Sequence, residues 1–421
     1  MSWRELPDLF AVGLLIFAFV AVARPAGTTM ARLWLCGWIC IEIHFAAYTF
    51  VDLPGALGAT ADVIGTAALV WCAQLFCWSM DPEPEHSSSR VMFWARATVY
   101  TLYIGLAEWP HVPALPRMAA ACLLALVPFA VICAWLPAQR TATRRTMVAL
   151  DIGLALVLLF CERLPAAWGL QTVSTLCAAY ACCCIQCWFM LRARTGGFIV
   201  TFVGLLTWTA VFPLGLLADI GLPNVQFDVE MWNLPKYLVA VGMIVLLLEN
   251  QLKRNQYLAD HDALTGLPNR RLFESRLGIA LSRARQKGIS VAVLAIDLDG
   301  FKSINDRFGH RAGDMALQDV VRRFVDCVRG QDTLARTGGD EFCVVLERPV
   351  TRDVAAGIAE RFKESLLMPA NVSGKNVQLG ASVGIALFPD DAETLDQLCS
   401  LADQRMYAAK RQTQLLTQAT Q

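Results

Sequence analysis

Nine apolar runs follow one another up to Leu248, separated by short breaks that contain Pro, Gly or Arg. A helix needs roughly 20 mostly apolar residues to cross a bilayer, so the pattern predicts a bundle of membrane-spanning helices. The first, sixth and last runs are short, and we therefore expect eight or nine transmembrane helices. The runs are Leu9–Ala23, Ala31–Phe50, Gly55–Trp78, Val91–Trp109, Met118–Leu136, Met147–Phe160, Leu170–Leu191, Phe198–Leu217 and Leu234–Leu248.

The positive charges between these runs predict their orientation, because Lys and Arg are enriched in cytoplasmic connections. With nine spans the N-terminus lies outside and the C-terminal part inside; with eight the N-terminus lies inside. The "AVA" before Arg24 resembles a signal-peptide cleavage site, but cleavage gives the later spans the wrong parity for a cytoplasmic C-terminus, so an uncleaved first span is preferred. The odd-numbered connections carry Arg24, Arg32, Arg90, Arg140, Arg144, Arg145, Arg192 and Arg194, against Arg117, Arg163 and Lys236 in the even-numbered ones.

Ionisable side chains within the spans have two interpretations. Intramembrane charges often mark a ligand site or pathway, but they also pair between helices or lie near the headgroups, and we favour pairing. The segment "CCCIQC", Cys182 to Cys187, is interpreted as small residues that pack a helix face rather than as a metal site. The ionisable residues are Glu42, His44, Asp62, Arg96 and Asp151.

Composition changes at Glu249. The whole chain is 56% hydrophobic and only 17% charged, against about a quarter charged in soluble proteins, yet the part after Leu248 has ordinary globular composition. We therefore divide the chain into a membrane region (1–248), a helical linker (249–260) and a soluble domain (261–421). In the linker, Leu248, Leu252 and Ala259 have near-heptad spacing, which fits either a helix that joins two subunits or a passive tether.

The soluble domain alternates strand and helix patterns. "ISVAVLAIDLD" predicts a buried strand that ends with Asp297 and Asp299 on one face. A core-facing helical stripe follows, and "DTLARTGGDEFCVVL" predicts a hairpin with a two-residue turn at Gly338 and Gly339. The order strand–helix–strand–strand–helix–strand–helix is typical of the α+β ferredoxin-like split pattern. The helical stripe consists of Leu317, Val320, Val321, Phe324, Val325 and Val328.

The hairpin turn has the composition of a phosphate site. Two glycines leave no Cβ at the tip, so a triphosphate can lie against the backbone. Asp340 follows directly, and Asp297 ends a strand that we expect beside the hairpin. Two carboxylates at an anionic pocket repel each other unless a cation lies between them, and Mg²⁺ with phosphate oxygens is the usual solution. A two-metal arrangement suits nucleotidyl transfer.

The sequence "GGDEF" at Gly338–Phe342, with "DLDGFKSINDRFGHRAGD" upstream, resembles the GGDEF family of diguanylate cyclases, which have a nucleotidyl-cyclase-type fold. The similarity extends over "DALTGLPNRR", "ASVGIALFP" and "ADQRMYAAK". The resemblance implies that Asp297, the Leu298 carbonyl, Asp340 and Glu341 hold the metals. It implies Asp340 and Glu341 as catalytic residues, the latter helping to activate the 3′-hydroxyl.

The resemblance also implies a set of substrate contacts. Gly338 and Gly339 would lie against the phosphates, Lys302 and Lys410 would contact them, and Asn305 with Asp314 would read the guanine edge. The cofactor implied is Mg²⁺, two ions per active site, with Mn²⁺ as an alternative. The sequence "RGQD" matches the family's inhibitory RxxD site, and the residues assigned to it are Arg329, Asp332 and Arg336.

The function implied is the condensation of two GTP into cyclic di-GMP and two pyrophosphates by a homodimer, with cyclic di-GMP as product and inhibitor. The membrane region would control how the two domains meet. The expected location is the bacterial inner (cytoplasmic) membrane, with the GGDEF domain cytoplasmic, membrane lipids as neighbours and no nucleic acid partner. A catalytically silent cyclic di-GMP receptor is the alternative, and a transport activity of the membrane region has little support.

The chain departs from the family pattern after Lys410. Family members often continue with a "GRN"-like segment, whereas this chain has "KRQTQLLTQATQ". Gln414 stands where a phosphate-contacting Arg is expected, and Arg411 is the candidate substitute.

Overall fold

The structure of the chain is a computed structural model. It describes residues 6–81, 83–135, 141–163, 168–190, 194–221, 229–347, 350–372 and 375–419. The chain divides into two compact units, Met1–Leu252 and Lys253–Gln421. The predicted ends of two apolar runs, Leu136 and Leu191, and the charges Arg140 and Arg192 lie outside the described residues.

The first unit is helical throughout its described part. The helices follow the predicted apolar runs closely and extend most of them by a few residues. The last one includes both the final apolar run and the predicted linker. They are α1 (Leu6–Ala26), α2 (Thr29–Tyr48), α3 (Ala56–Ser79), α4 (Ser87–Glu108), α5 (Ala114–Trp135), α6 (Thr141–Cys161), α7 (Trp168–Met190), α8 (Gly196–Gly221) and α9 (Val229–Asp260).

Seven of these helices are long and apolar enough to cross a membrane: α1, α2, α3, α5, α7, α8 and α9. The predicted count of eight or nine is therefore not confirmed by length and composition. As α1 and α9 do with Asp8 and Lys236, helices α4 and α6 each carry a buried charge, Arg96 in α4 and Asp151 in α6.

Those two charges contact each other. Arg96 Nη2 donates to Asp151 Oδ1 at 2.9 Å, and the Tyr100 hydroxyl donates to the same oxygen at 2.8 Å. All three side chains are almost completely buried. A buried charge is costly unless it is paired, so the pair explains how two helices of this composition fit into an apolar bundle. The predicted interhelical pairing is confirmed for Arg96 and Asp151.

The cysteines of "CCCIQC" lie in the core of the helical unit. Cys182, Cys183, Cys184 and Cys187 are all buried among apolar side chains. Throughout the described ranges, no group of three or more His, Cys, Asp or Glu side chains is arranged to hold a metal ion. The burial of these four thiols among apolar side chains agrees with the predicted packing role.

The second unit is an α+β domain. Its elements are α10 (Arg270–Lys287), β1 (Val291–Asp299), α11 (Phe301–Phe308), α12 (His310–Asp326), β2 (Thr333–Arg336), β3 (Glu341–Leu346), α13 (Arg352–Ser365), β4 (Ala370–Val372), β5 (Lys375–Val377), β6 (Gly380–Phe388) and α14 (Leu395–Ala419).

Four strands form one sheet in the order β2-β3-β1-β6, and every neighbouring pair is antiparallel. This order is the one that the ferredoxin-like split pattern requires, and the predicted topology agrees with it. Strand β1 lies in the centre, where eight consecutive residues are buried. A strand without alternating exposure must be covered on both faces.

Two hydrophobic cores provide that cover. On one face, β1 and β3 pack against α12 and α13, with Phe324, Phe342 and Phe362 in edge-to-face contact. On the other face, they pack against α10 and α14 through Phe273, Leu398 and neighbouring side chains. The predicted motif Gly338–Phe342 lies at the end of the sheet where β1 ends and β3 begins.

Three details differ from the sequence-based predictions. The turn between β2 and β3 contains four residues, from Thr337 to Asp340, instead of two. Val325 is 47% exposed, because it follows the buried Phe324 and a step of about 100° along the helix turns it away from the sheet. The sequence also did not predict the small β4–β5 hairpin, in which Ala370 pairs with Val377.

Candidate active site

The register of the sheet brings two predicted metal ligands together. In β1, Asp297 lies directly opposite Glu341 of β3 on one side and Ser382 of β6 on the other. Directly opposed residues of an antiparallel pair share one face and lie about 5 Å apart at Cβ. Asp297 is only 7% exposed, whereas Glu341 is exposed. Two carboxylates so placed can hold a cation on the face covered by α14.

The four-residue turn is attached to the end of β1. The amide of Leu298 donates to the carbonyl of Asp340 at 3.1 Å, and the amides of Thr337 and Gly338 donate to the carbonyl of Glu341 at 3.0 and 3.4 Å. A Cβ on Gly339 would meet nothing within 4 Å, so its surface is open. The turn is thus fixed at its base while Gly339 is free to face a ligand.

Arg336 fixes the same turn from the side. Its Nη2 donates to the carbonyl of Gly339 at 2.7 Å, and its Nη1 donates to Asp262 Oδ1 at 2.8 Å. Asp262 also accepts hydrogen bonds from the amide and hydroxyl of Thr265. Although burial opposes it, these bonds lower the pKa of the Asp262 carboxyl. A guanidinium held by a carboxylate positions the turn more rigidly than a single hydrogen bond.

Lys410 reaches the site from α14. Its ammonium donates to Asp297. Burial works against the charged ammonium, but the hydrogen bond and charge of Asp297 raise the pKa of Lys410.

Helix α14 comes close enough for this contact because β6 has a glycine beneath it. A Cβ on Gly384 would lie 2.0 Å from the carbonyl oxygen of Ala402 and 2.2 Å from the amide of Met406. Lys410 lies about one turn beyond Met406. Gly384 therefore sets the height of α14 above the sheet, and with it the position of Lys410.

Burial, with a contribution from neighbouring carboxylates, raises the pKa of two acids at the site, Glu341 and Asp299. For Glu341, burial is the main cause, and Asp297, Asp340 and Asp403 add to it. For Asp299, burial also raises the pKa, while hydrogen bonds from Ser382 at 2.9 and 3.1 Å oppose the rise. Carboxylates that resist ionisation together are stabilised by a cation between them, and such groups cluster at functional sites.

The predicted guanine-reading pair lies on α11 and α12. A Cβ on Gly313 would lie 2.0 Å from Oδ1 of Asn305, so the glycine lets α12 approach the Asn305 carboxamide. Asp314, the next residue, is exposed at this junction, and Lys302 is exposed at the start of α11. The structure therefore places Gly313, the residue before Asp314, against Asn305 and leaves Lys302 open to solvent.

The three residues assigned to an inhibitory site are not gathered in one place. The exposed Arg329 and its partner Asp332 lie before β2, where the Arg329 amide donates to Asp332 Oδ2 at 3.1 Å. Arg336 lies at the far end of β2, about 10 Å further on for a strand of four residues. There it is engaged by Asp262 and Gly339. Arg329 and Asp332 form a local pair that Arg336 does not join in this structure.

The acids fit a divalent cation only if another ligand contributes oxygens. Asp297, Asp340 and Glu341 offer the hard oxygens that Mg²⁺ prefers, but within the described ranges they do not form a closed set of three side-chain ligands. Mg²⁺ is usually held by one or two carboxylates together with substrate phosphates. The ammonium of Lys410 on Asp297 shows that this carboxylate accepts a cation.

The candidate substitute Arg411 faces away from this centre. Its guanidinium lies over the Tyr407 ring at 4.7 Å from the centroid, and Nη2 is 3.4 Å from the Tyr407 hydroxyl. Gln414 is exposed on the same helix. In this arrangement Lys410 is the cation of α14 that contacts the site.

Sequence reasoning missed two residues that shape the site. Asp262 received no separate role from the sequence, although a largely buried Arg such as Arg336 needs an acidic partner. Gly384 was read only as part of a strand, although a glycine inside a strand often marks a close backbone approach. The second signal was present in the sequence "ASVGIALF".

Carboxylates, a glycine turn and a lysine lie together at one end of a ferredoxin-like sheet. A domain with this arrangement is suited to binding the phosphates of a nucleotide. Comparison with known proteins identifies the family. Residues 259–415 match the family described as "Diguanylate cyclase, GGDEF domain", and this part of the chain is a GGDEF domain.

Its relatives carry related descriptions. The chain is 45% identical over 155 residues to the diguanylate cyclase TpbB of Pseudomonas aeruginosa, covering 37% of this chain and 36% of TpbB. It is 38% identical over 221 residues to the bifunctional diguanylate cyclase/cyclic di-GMP phosphodiesterase MucR of the same species, covering 48% of this chain and 32% of MucR. The solved GGDEF domain of TpbB is 45% identical, with a TM-score of 0.35, and the match covers 36% of this chain and 89% of that one. The chain thus spans about a third of the length of these two curated relatives.

Proposed function

We propose that this protein is a membrane-bound diguanylate cyclase that condenses two GTP into cyclic di-GMP and two pyrophosphates. The observation that carries the proposal is the convergence of Asp297, Glu341 and the Asp340 turn at one edge of the sheet, with Lys410 beside them. The descriptions of TpbB and MucR support the same activity.

Each residue has a distinct task in this proposal. Asp297, the Leu298 carbonyl, Asp340 and Glu341 hold Mg²⁺ or Mn²⁺, two ions per site. The metal, when bound, supplies charge stabilisation to the phosphates. Glu341, whose pKa is raised by burial and by its acidic neighbours, is suited to take the proton of the 3′-hydroxyl.

The remaining residues bind and orient the nucleotide. Gly339, whose surface is open, and the neighbouring Gly338 lie against the phosphates, and Lys302 and Lys410 neutralise them. Asn305 and Asp314 form hydrogen bonds to the guanine edge. Because each domain holds one GTP, two copies must face each other for the 3′-oxygen of one nucleotide to reach the α-phosphate of the other.

A homodimer joined through α9 suits that requirement. Leu248 and Leu252 are 41% and 61% exposed on α9, and with Ala259 they keep the near-heptad spacing of a helix that pairs with a second copy. We propose residues 249–260 as the signalling linker, residues 1–248 as the sensor region and residues 261–421 as the cyclase domain.

We further propose that α4 and α6 cross the bacterial inner membrane with the seven more apolar helices, because Arg96 and Asp151 compensate each other's charge. This gives nine spans with the GGDEF domain in the cytoplasm, in contact with membrane lipids at the bundle surface. Reporter fusions after residues 27 and 110 test the orientation, since they report cytoplasmic and external positions respectively.

Product inhibition is proposed at Arg329 and Asp332. Arg329 is exposed, and a guanidinium suits phosphate and guanine edges through paired hydrogen bonds. Arg329→Ala is expected to raise the product level at which synthesis stops, without changing the initial rate.

The function is tested with the full-length protein in membranes, GTP and Mg²⁺, with detection of cyclic di-GMP by mass. Asp340→Asn is expected to abolish product, while Asp326→Asn, the same change at an exposed position on α12, is expected to retain it. Absence of product from the folded wild-type protein, together with cyclic di-GMP still bound, would instead identify a catalytically silent receptor.

A further inference from the structure

A cavity of about 400 Å³ lies between α10 and α14, on the sheet face opposite α12 and α13. Its floor is apolar and includes Phe273, Ala295 and Met406. Lys302, Asn305 and Asp314 do not line it, so it is separate from the proposed nucleotide contacts. It adjoins the active site only through Thr337 and Glu341. The volume lies within the range of about 300–1,000 Å³ that is typical of small-molecule sites.

The charged groups around this cavity are mostly negative. Four carboxylates and one guanidinium line it, namely Glu274, Glu341, Asp396, Asp403 and Arg270. Arg270 is already paired with Glu274 at 2.9 Å. Burial raises the pKa of the Asp403 carboxyl even though Arg270 opposes the rise. The cavity therefore repels an anionic nucleotide and attracts a cation.

Two thiols line the same cavity. Cys343 comes from β3, with its Sγ 3.6 Å from the Thr337 hydroxyl, and Cys399 comes from α14. Burial raises the pKa of Cys343 to about 12 and that of Cys399 to about 11. Both thiols are therefore protonated at neutral pH and contribute apolar surface. They also provide positions at which occupancy can be measured.

We propose that this cavity binds a small organic cation. Its ammonium group lies among Glu274, Asp403 and Glu341, and its apolar body lies on Phe273, Ala295 and Met406. Polar groups at the rim with an apolar floor are the usual composition of a small-molecule site.

Occupancy has a consequence for the active site. Glu341 belongs to both the cavity and the proposed metal site, so a cation in the cavity competes for its carboxylate. The bound cation lowers the rate of cyclic di-GMP formation. This consequence depends on the proposed cyclase function, whereas binding itself does not.

Charge-selective labelling of Cys399 tests the binding site in the full-length protein. The thiol is treated with a cationic methanethiosulfonate (2-aminoethyl) or an anionic one (2-sulfonatoethyl), and tryptic peptides are quantified by mass. Because the charged groups that line the cavity carry three net negative charges, we expect the cationic reagent to react about tenfold faster than the anionic one. The thiolate fraction is the same for both reagents, and every ratio is divided by the ratio measured for a small free thiol, which removes the reagents' difference in intrinsic rate. The normalised ratio therefore reports the local potential.

The chain contains its own controls. Cys327 lies on the opposite face against α13 and lines no part of this cavity, so its ratio is expected to be near one. Asp403→Asn removes one charge and is expected to lower the Cys399 ratio by about twofold. A Cys399 ratio near one in the wild-type protein would overturn the proposal.

A second arm tests occupancy without a variant. Millimolar 2-phenylethylammonium is expected to slow the reaction of Cys399 with N-ethylmaleimide at least threefold, whereas the neutral 2-phenylethanol is not. Equal protection by both compounds, or by neither, contradicts a cation site. Inhibition of product formation is measured separately: protection without inhibition keeps the site and refutes the link through Glu341.

Discussion

Replacing Gly384 by Ala tests whether the approach of α14 to the sheet positions Lys410. The added Cβ would lie 2.0 Å from the carbonyl oxygen of Ala402, where ordinary contact begins at 3.4 Å. The obstructing atoms belong to the helix backbone, so the helix must move away by about 1 Å. Overpacking of this kind costs about 1–3 kcal/mol. For a domain of this size, that lowers the Tm of the GGDEF domain by roughly 3–10 °C.

The effect on activity is expected to exceed the effect on folding. Lys410 moves with Met406 because both belong to α14, and its ammonium then leaves Asp297. A misplacement of about 1 Å in a positioning group can cost a hundredfold in rate. We expect Gly384→Ala to lower cyclic di-GMP production by 10- to 100-fold, at a temperature where the variant is still folded.

The measurement combines thermal unfolding with product formation by full-length protein in detergent. Gly357→Ala in α13 is the matched control, because a Cβ there meets nothing within 4 Å. It is expected to stabilise its helix by up to about 1 kcal/mol and to leave activity unchanged. If Gly384→Ala unfolds and reacts like the wild type, α14 does not depend on this glycine, and the explanation for the position of Lys410 is wrong.

Three further predictions concern ion pairs. Hydrogen bonds from Arg405 hold the pKa of Asp391 well below its usual range. Asp391→Ala should therefore lower the free energy of unfolding by about 2 kcal/mol at pH 7. A depressed carboxyl pKa stabilises the folded state only above the pKa of the unfolded state, so the difference between variant and wild type should shrink when unfolding is measured below about pH 4. Arg336→Lys cannot donate to Asp262 and Gly339 together, so it should reduce activity at least tenfold and the free energy of unfolding by about 1–2 kcal/mol. Product formation and thermal unfolding measure the two effects. Unchanged activity would contradict the role of Arg336 in fixing the turn. Arg96→Met leaves the buried Asp151 carboxylate without its cation, while the Tyr100 hydroxyl still donates to it. The variant should lower the free energy of unfolding in detergent by about 3–5 kcal/mol, whereas adding Asp151→Leu should recover most of that loss. If the double variant does not recover stability, charge pairing is not the reason that these two residues are buried.

The order of the soluble elements could be predicted because it depends on local patterns. The buried strand "ISVAVLAIDLD" and the stripe around Phe324 are visible from period alone. Alternation also placed Asp297 and Asp299 on one face, where Lys410 and Ser382 contact them. Val325 was assigned to the core because it is apolar, but hydrophobicity does not show which side of a stripe a helix turns inward.

The contacts that shape the site could not be predicted in the same way. Arg336 and Asp262 are 74 residues apart, and no periodicity connects them. The turn between β2 and β3 was predicted to contain two residues, Gly338 and Gly339. It contains four, because Thr337 and Asp340 belong to the loop and not to the strands. Such features depend on tertiary contacts that local sequence patterns do not contain.

The number of transmembrane helices likewise depends on contacts between helices that local sequence patterns do not contain. A hydropathy criterion treats each helix as if it were surrounded by lipid, and by that criterion α4 and α6 are not among the candidate transmembrane helices. Arg96 and Asp151 make each other's burial tolerable only when both helices are present, so the compatibility of either helix with a membrane is a property of the pair. If α4 and α6 cross the membrane as proposed, a count based on single segments is too low for this chain because the charge of each helix is compensated by the other. The double variant at these two positions tests that compensation.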